Sequence, residues 1–100
     1  MMEVRQTRRF ADWVARLGDQ QAQARINVRI RRLSLGNSGD TKNVGGGVSE
    51  LRIDYGPGYR LYFTKRAATF VLLLCGGDKR TQAADIATAK KLVNALEYDD

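Results

Sequence analysis

At Val48 the hydrophobic pattern of this 100-residue chain changes period. Upstream, Phe10, Trp13, Val14 and Leu17 recur at the spacing of one helix face, and Ala22, Ile26, Ile30 and Leu33 form a second such stripe. From Val48 onward the alternation is strand-like, with Leu51, Ile53 and Tyr55 on one side and Glu50, Arg52 and Asp54 on the other. A chain that combines both periods, with no repeat and no interdomain linker, predicts a single α+β domain over residues 1–100.

Local signals fill in the order. Met2 to Thr7 alternates enough for a short opening strand, Gly18 stops the first helix, and Asp19 can cap the second, whose outer face carries Arg25, Arg29 and Arg32. So short a turn predicts a helical hairpin. Residues 35–47 hold five glycines with Asn37, Ser38, Asp40 and Asn43 and show no period, which predicts a loop and the most mobile segment of the chain.

Gly56-Pro57-Gly58 is a turn signal, and beyond it Tyr59, Leu61 and Phe63 alternate with Arg60, Tyr62 and Thr64. The two strands predict a β-hairpin. Setting Tyr55 opposite Tyr59 places Asp54 against Arg60 and Arg52 against Tyr62, gathering Glu50, Arg52, Arg60 and Tyr62 on one polar face.

Thr69 to Cys75 suits a central strand entered through a tight turn at Lys65 to Ala68. A final helix starts near Gln82, with Ile86, Ala89, Val93 and Leu96 in step and a weakly ordered Tyr98-Asp99-Asp100 beyond it. The expected order is β-α-α-β-β-β-α, an antiparallel sheet with helices on one face and the charged residues on the other.

Charge narrows the partners. Lys and Arg total 17 against 11 Asp and Glu, a net charge of +6, which favours an acidic or polyanionic partner. The chain has no histidine, so the commonest general base and metal ligand are missing. Cys75, the only cysteine, sits in an apolar run and reads as a core residue of a protein from a reducing compartment. Met1 to Phe10 lacks the apolar segment of a signal peptide and no stretch has membrane-spanning length, which predicts a cytoplasmic protein without membrane contact.

Candidate chemistry converges on Arg52 and Arg60 from the hairpin and on the loop that carries Lys79, Arg80 and Gln82. Guanidinium forks on a rigid sheet match phosphate oxygens, and Tyr62 and Tyr55 offer stacking surfaces for unpaired bases. Arg25 and Arg29 suit either RNA or an acidic protein segment. Gly45-Gly46-Gly47 and Gly76-Gly77 lack the spacing of a P-loop or dinucleotide fingerprint, and no Cys/His cluster exists, so no cofactor and no metal are expected.

Phe10 to Leu17, Arg25-Ile26 through Arg29-Ile30, residues 36–40, Glu50-Leu51-Arg52-Ile53, Gly56-Pro57-Gly58-Tyr59-Arg60 and residues 73–79 with Gln82 and Asp85-Ile86 together resemble the HigB-like addiction module killer branch of the RelE/ParE superfamily. That resemblance implies a RelE-like fold and a type II toxin that cleaves mRNA on the ribosome without a metal. It also implies a helix-turn-helix, HigA-like antitoxin as partner. The alternative within the superfamily is a non-enzymatic ParE-like toxin that binds DNA gyrase.

Position by position, the resemblance places Arg52, Arg60 and Lys79 or Arg80 on the active face. The chain departs from the usual pattern in carrying Glu50 at a strand position that is often basic and in having Asp85-Ile86 after the last loop; Tyr98 lies far along the final helix. Attack by a ribose 2'-hydroxyl needs a base, charge stabilisation at phosphorus and an acid for the leaving oxygen. Without histidine, the base candidates are Glu50, Asp85 and a lysine, Lys79 first.

Overall fold

A computed structural model describes residues 2–67 and 69–99, without the side chains of 97–99. The elements are β1 (Glu3–Gln6), α1 (Arg8–Arg16), α2 (Gln20–Ser34), β2 (Thr41–Gly45), β3 (Val48–Ile53), β4 (Tyr59–Arg66), β5 (Phe70–Gly77), a 3-10 turn at Lys79–Thr81, and α3 (Gln82–Asp99). The fold is α+β, as the change of period predicts. The expectation for Asp100, and for the side chains of Tyr98 and Asp99, lies outside the described residues.

Four features depart from the expected layout. The strands form one mixed five-stranded sheet, β1-β5-β4-β3-β2, with β1 parallel to β5 and the other pairs antiparallel. The extra strand, β2, lies inside the segment read as a loop. Its side chains are exposed or half-buried throughout, so no apolar alternation marks it, and its backbone bonds to β3 define it instead.

The hairpin register also differs: Ile53 faces Tyr59, Arg52 faces Arg60 and Glu50 faces Tyr62, two residues from the expected pairing. Asp54 to Gly58 form the connection, with Gly56 and Gly58 at positive φ. Tyr55 leaves the ladder because α2 recruits it. Its hydroxyl donates to Asp19 Oδ2 at 2.8 Å, while Asp19 Oδ1 accepts the Gln21 and Ala22 amides to cap the helix.

Helices cover both faces of the sheet, not one. Phe10, Ile26 and Leu33 from α1 and α2 pack on Leu51, Ile53, Leu61, Phe63, Val71 and Leu73. On the other face α3 sets Ala89 and Val93 against Val48, Tyr62, Leu74 and Cys75. A β-bulge explains how Leu74 and its neighbour Cys75 share that side: Tyr62 pairs with Cys75 and Phe63 with Leu73, leaving Leu74 without a partner. The face expected to be uniformly polar is therefore apolar where α3 lies on it. Toward the hairpin turn it is polar, at Glu50, Arg52 and Arg60.

Gly76 and Gly77 permit this close packing. A Cβ on Gly76 would overlap the six-membered ring of Trp13 in α1, and one on Gly77 would overlap the Asp85 carboxylate in α3. Gly76→Ala should therefore lower stability by about 1–3 kcal/mol, the range for overpacking a filled site. Urea unfolding curves that coincide for the two proteins would contradict this packing.

Candidate functional site

Glu50 organises the polar end of the sheet. Its carboxylate is fully buried and accepts four hydrogen bonds. Arg52 Nε and Arg60 Nη1 each reach Oε1 at 2.9 Å, and the Tyr62 hydroxyl and Gln82 Nε2 reach Oε2 at 3.0 and 2.9 Å. The donors come from β3, β4 and the first residue of α3, so one side chain ties three elements together.

Burial alone would raise the Glu50 pKa, but hydrogen bonds from Arg52, Gln82 and Tyr62 and the charge of Arg60 outweigh it and hold the pKa below the ordinary value. Both carboxylate oxygens are engaged and the group is held anionic. Glu50 is thus a poor general base, which corrects that assignment, and it acts instead by positioning the two arginines.

Arg52, Arg60 and Lys79 line one cleft of about 370 Å³ beside the hairpin turn, with Asp40, Asp54 and Tyr59. The aliphatic stem of Lys79 lies over Gly58, where a Cβ would come within 3.1 Å of its Cγ. Arg60 is only 8 % exposed, so it is a buried, ion-paired residue and not the solvent-facing strand position that the alternation implies. Its Nε is buried with no hydrogen-bond partner among the described residues. An unpaired buried donor costs about 1–3 kcal/mol, a cost seldom retained without a role.

Other expected site residues fall elsewhere. Arg80 is held by Asp78 at 3.2 Å and does not line the cleft. Asp78 also accepts the Arg80 amide, so the same carboxylate caps the 3-10 turn and turns the guanidinium outward. Asp85 lines a different cavity with Arg9 and Trp13, between α1 and α3, and accepts the Thr81 hydroxyl at 2.6 Å. Burial raises its pKa against that hydrogen bond.

Tyr62 is fully buried, so its ring is not available for stacking; burial and then the bond to Glu50 raise the pKa of its hydroxyl. Gln82 is close to the cleft but is engaged with Glu50. Arg25 and Arg29 line a neighbouring groove. Arg29 donates to the carbonyls of Arg52 and Ser38, at 2.6 and 3.2 Å, and Arg25 lies over the Tyr55 ring at 4.6 Å. Cys75 is buried, and burial pushes its thiol up to about 12, as befits a core residue.

Two residues were missed by residue-level reading: Asp40 and Asp54, carboxylates that face the cleft. Asp54 alternates with Arg52 and opens the connection to β4, a position that could have flagged it. Asp40 arrives through β2, which leaves no pattern to read.

Comparison with known proteins now adds to this geometry. Residues 12–95 match the family described as "Phage derived protein Gp49-like (DUF891)". The chain belongs to this family. The Gp49-like family is RelE-like and associated with toxin-antitoxin modules. The chain is also 47% identical, over 95 residues, to an uncharacterized protein of Haemophilus influenzae; the alignment covers 95% of this chain and 96% of the relative. No solved structure matches the Gp49-like chain significantly.

Glu50→Gln keeps the shape but removes the counter-charge of the buried Arg60. At neutral pH it should cost about 3 kcal/mol, the lower end for breaking a buried ion pair. Because folding lowers the Glu50 pKa, its contribution is present above the ordinary glutamate value of 4.5 and is lost as pH falls through the lower folded value. The gap between wild type and Glu50→Gln should accordingly narrow on acidification. Urea titrations at neutral and acidic pH measure it, and a constant gap would count against an ionised Glu50.

Proposed function

We propose that this protein is the toxin of a type II toxin-antitoxin pair and acts in the cytoplasm as a ribosome-dependent, metal-independent mRNA endoribonuclease. The observation that carries this reading is the cleft in which Arg52, Arg60 and Lys79 converge beside a buried carboxylate that fixes the first two. Pre-set guanidinium donors stabilise developing phosphate charge without reorganising at the moment of reaction. The toxin-antitoxin association of the family points the same way. Among the described residues no helix is long and apolar enough to cross a membrane.

In the proposed reaction a cleft carboxylate, Asp54 or Asp40, takes the proton of a ribose 2'-hydroxyl, whose oxygen attacks the adjacent phosphorus. The bond from phosphorus to the 5'-oxygen breaks, Lys79 gives that oxygen a proton, and the products are a 2',3'-cyclic phosphate and a 5'-hydroxyl. Arg52 and Arg60 hold the non-bridging oxygens. These two aspartates replace Glu50 and Asp85 as the base candidates, because Glu50 is saturated and Asp85 lies in another cavity. The ribosome supplies alignment of the mRNA, and a helix-turn-helix antitoxin supplies neutralisation.

The test is to induce the protein without an antitoxin and map mRNA 5' ends. Lys79→Ala and Arg52→Ala are the variants used: Lys79 is exposed and not bonded to Glu50, whereas Arg52→Ala removes one of four donors to the buried Glu50, so its fold is checked by a urea curve, and Arg60→Ala would remove the buried donor. New ends within translated codons are expected, reduced by about 100-fold or more in each variant. Growth arrest with intact mRNA would instead favour the ParE-like reading, in which the target is DNA gyrase.

A further inference from the structure

A second concavity, about 410 Å³, lies along α2 and adjoins the cleft, sharing Ile53 and Asp54 with it. Its floor is aliphatic: Ala24, Ile53 and Val28, which is 49 % exposed although it could have been polar at no cost to the core. Its rim is cationic. Arg29 is committed to two backbone carbonyls, but Arg25 and Arg32 form no ion pair among the described residues. They stand seven residues apart, or about 10 Å along the helix, with Val28 between them.

We infer that this groove docks an acidic amphipathic helix of a partner protein, with one aliphatic side chain on Val28 and Ile53 and carboxylates two turns apart on Arg25 and Arg32. Charge complementarity supports the choice, since Asp54 is the groove's only acidic lining residue. An exposed aliphatic floor rimmed by guanidinium groups is the pattern of a helix-in-groove site. Single-stranded RNA fits less well: the groove lining contains no aromatic ring, and the nearby Tyr55 is covered by Arg25 and bonded to Asp19.

An occupant would lie against Ile53 and Asp54 and so obstruct the approach to the cleft. That consequence rests on the nuclease reading; the docking itself does not.

The intact protein is panned against phage-displayed random peptides of about 16 residues, long enough for several helical turns. Selected peptides are then measured by fluorescence anisotropy. Enriched sequences should carry two carboxylates about seven residues apart around a Leu, Ile or Val. Binding should weaken about tenfold or more with Val28→Glu and with Arg25→Glu/Arg32→Glu, and should hold in Lys79→Ala.

The inference is overturned by failure to enrich acidic sequences, by binding that survives Val28→Glu, or by a single-stranded RNA oligonucleotide that binds the wild type and is lost with the same substitutions. Because this readout is binding and not mRNA cleavage, a docking surface on a protein that cuts no mRNA would fault the nuclease proposal alone. Cleavage without peptide binding would fault the docking surface alone.

Discussion

A carboxylate with no access to water is stable only if its charge and lone pairs are answered locally. Glu50 is answered by four donors from three elements, and the polar end of the sheet is built to supply them. The arrangement fixes the rotamers of Arg52 and Arg60 before any ligand arrives, so less side-chain entropy is lost when an anion binds. It also explains why Tyr62, which a strand alternation would direct to solvent, lies under α3 instead: its hydroxyl satisfies Glu50 while its ring fills the core beside Leu74.

The two cores follow from the same economy. The α1–α2 face takes the regular alternation of β3, β4 and β5. The α3 face is assembled from exceptions: Tyr62 among charged neighbours, Val48 at a strand start, and Leu74 with Cys75 across a bulge. The turn after β5 is where that face changes from apolar to polar, and it is there that Lys79 reaches the hairpin.

What the sequence reveals divides along this line. The helices α1 and α2, the Asp19 cap and the three longer strands could be read because period and turn residues encode them locally. The second helical layer, β2 and the register could not. Each depends on a distant partner: α3 on a bulge, β2 on backbone bonds to β3, and the register on the pull of Asp19 on Tyr55. For the site, the basic positions Arg52 and Arg60 are legible from their places on either side of the turn, and Lys79 from the polar loop after the central strand. Pairing decided the rest, since Arg80 is claimed by Asp78, Arg29 by two carbonyls and Gln82 by Glu50.

The bond between Tyr55 and Asp19 spans 36 residues and joins a hairpin tip to a helix cap. Tips and first turns are normally the earliest places to open, each by itself. Here the two share one carboxylate: Oδ2 accepts the tyrosine while Oδ1 caps the helix, so order at either place favours order at the other by about the 0.5–1.5 kcal/mol of one hydrogen bond. Tip and cap are thus linked, and the cleft beside the tip takes part of its order from the start of a helix that does not line it.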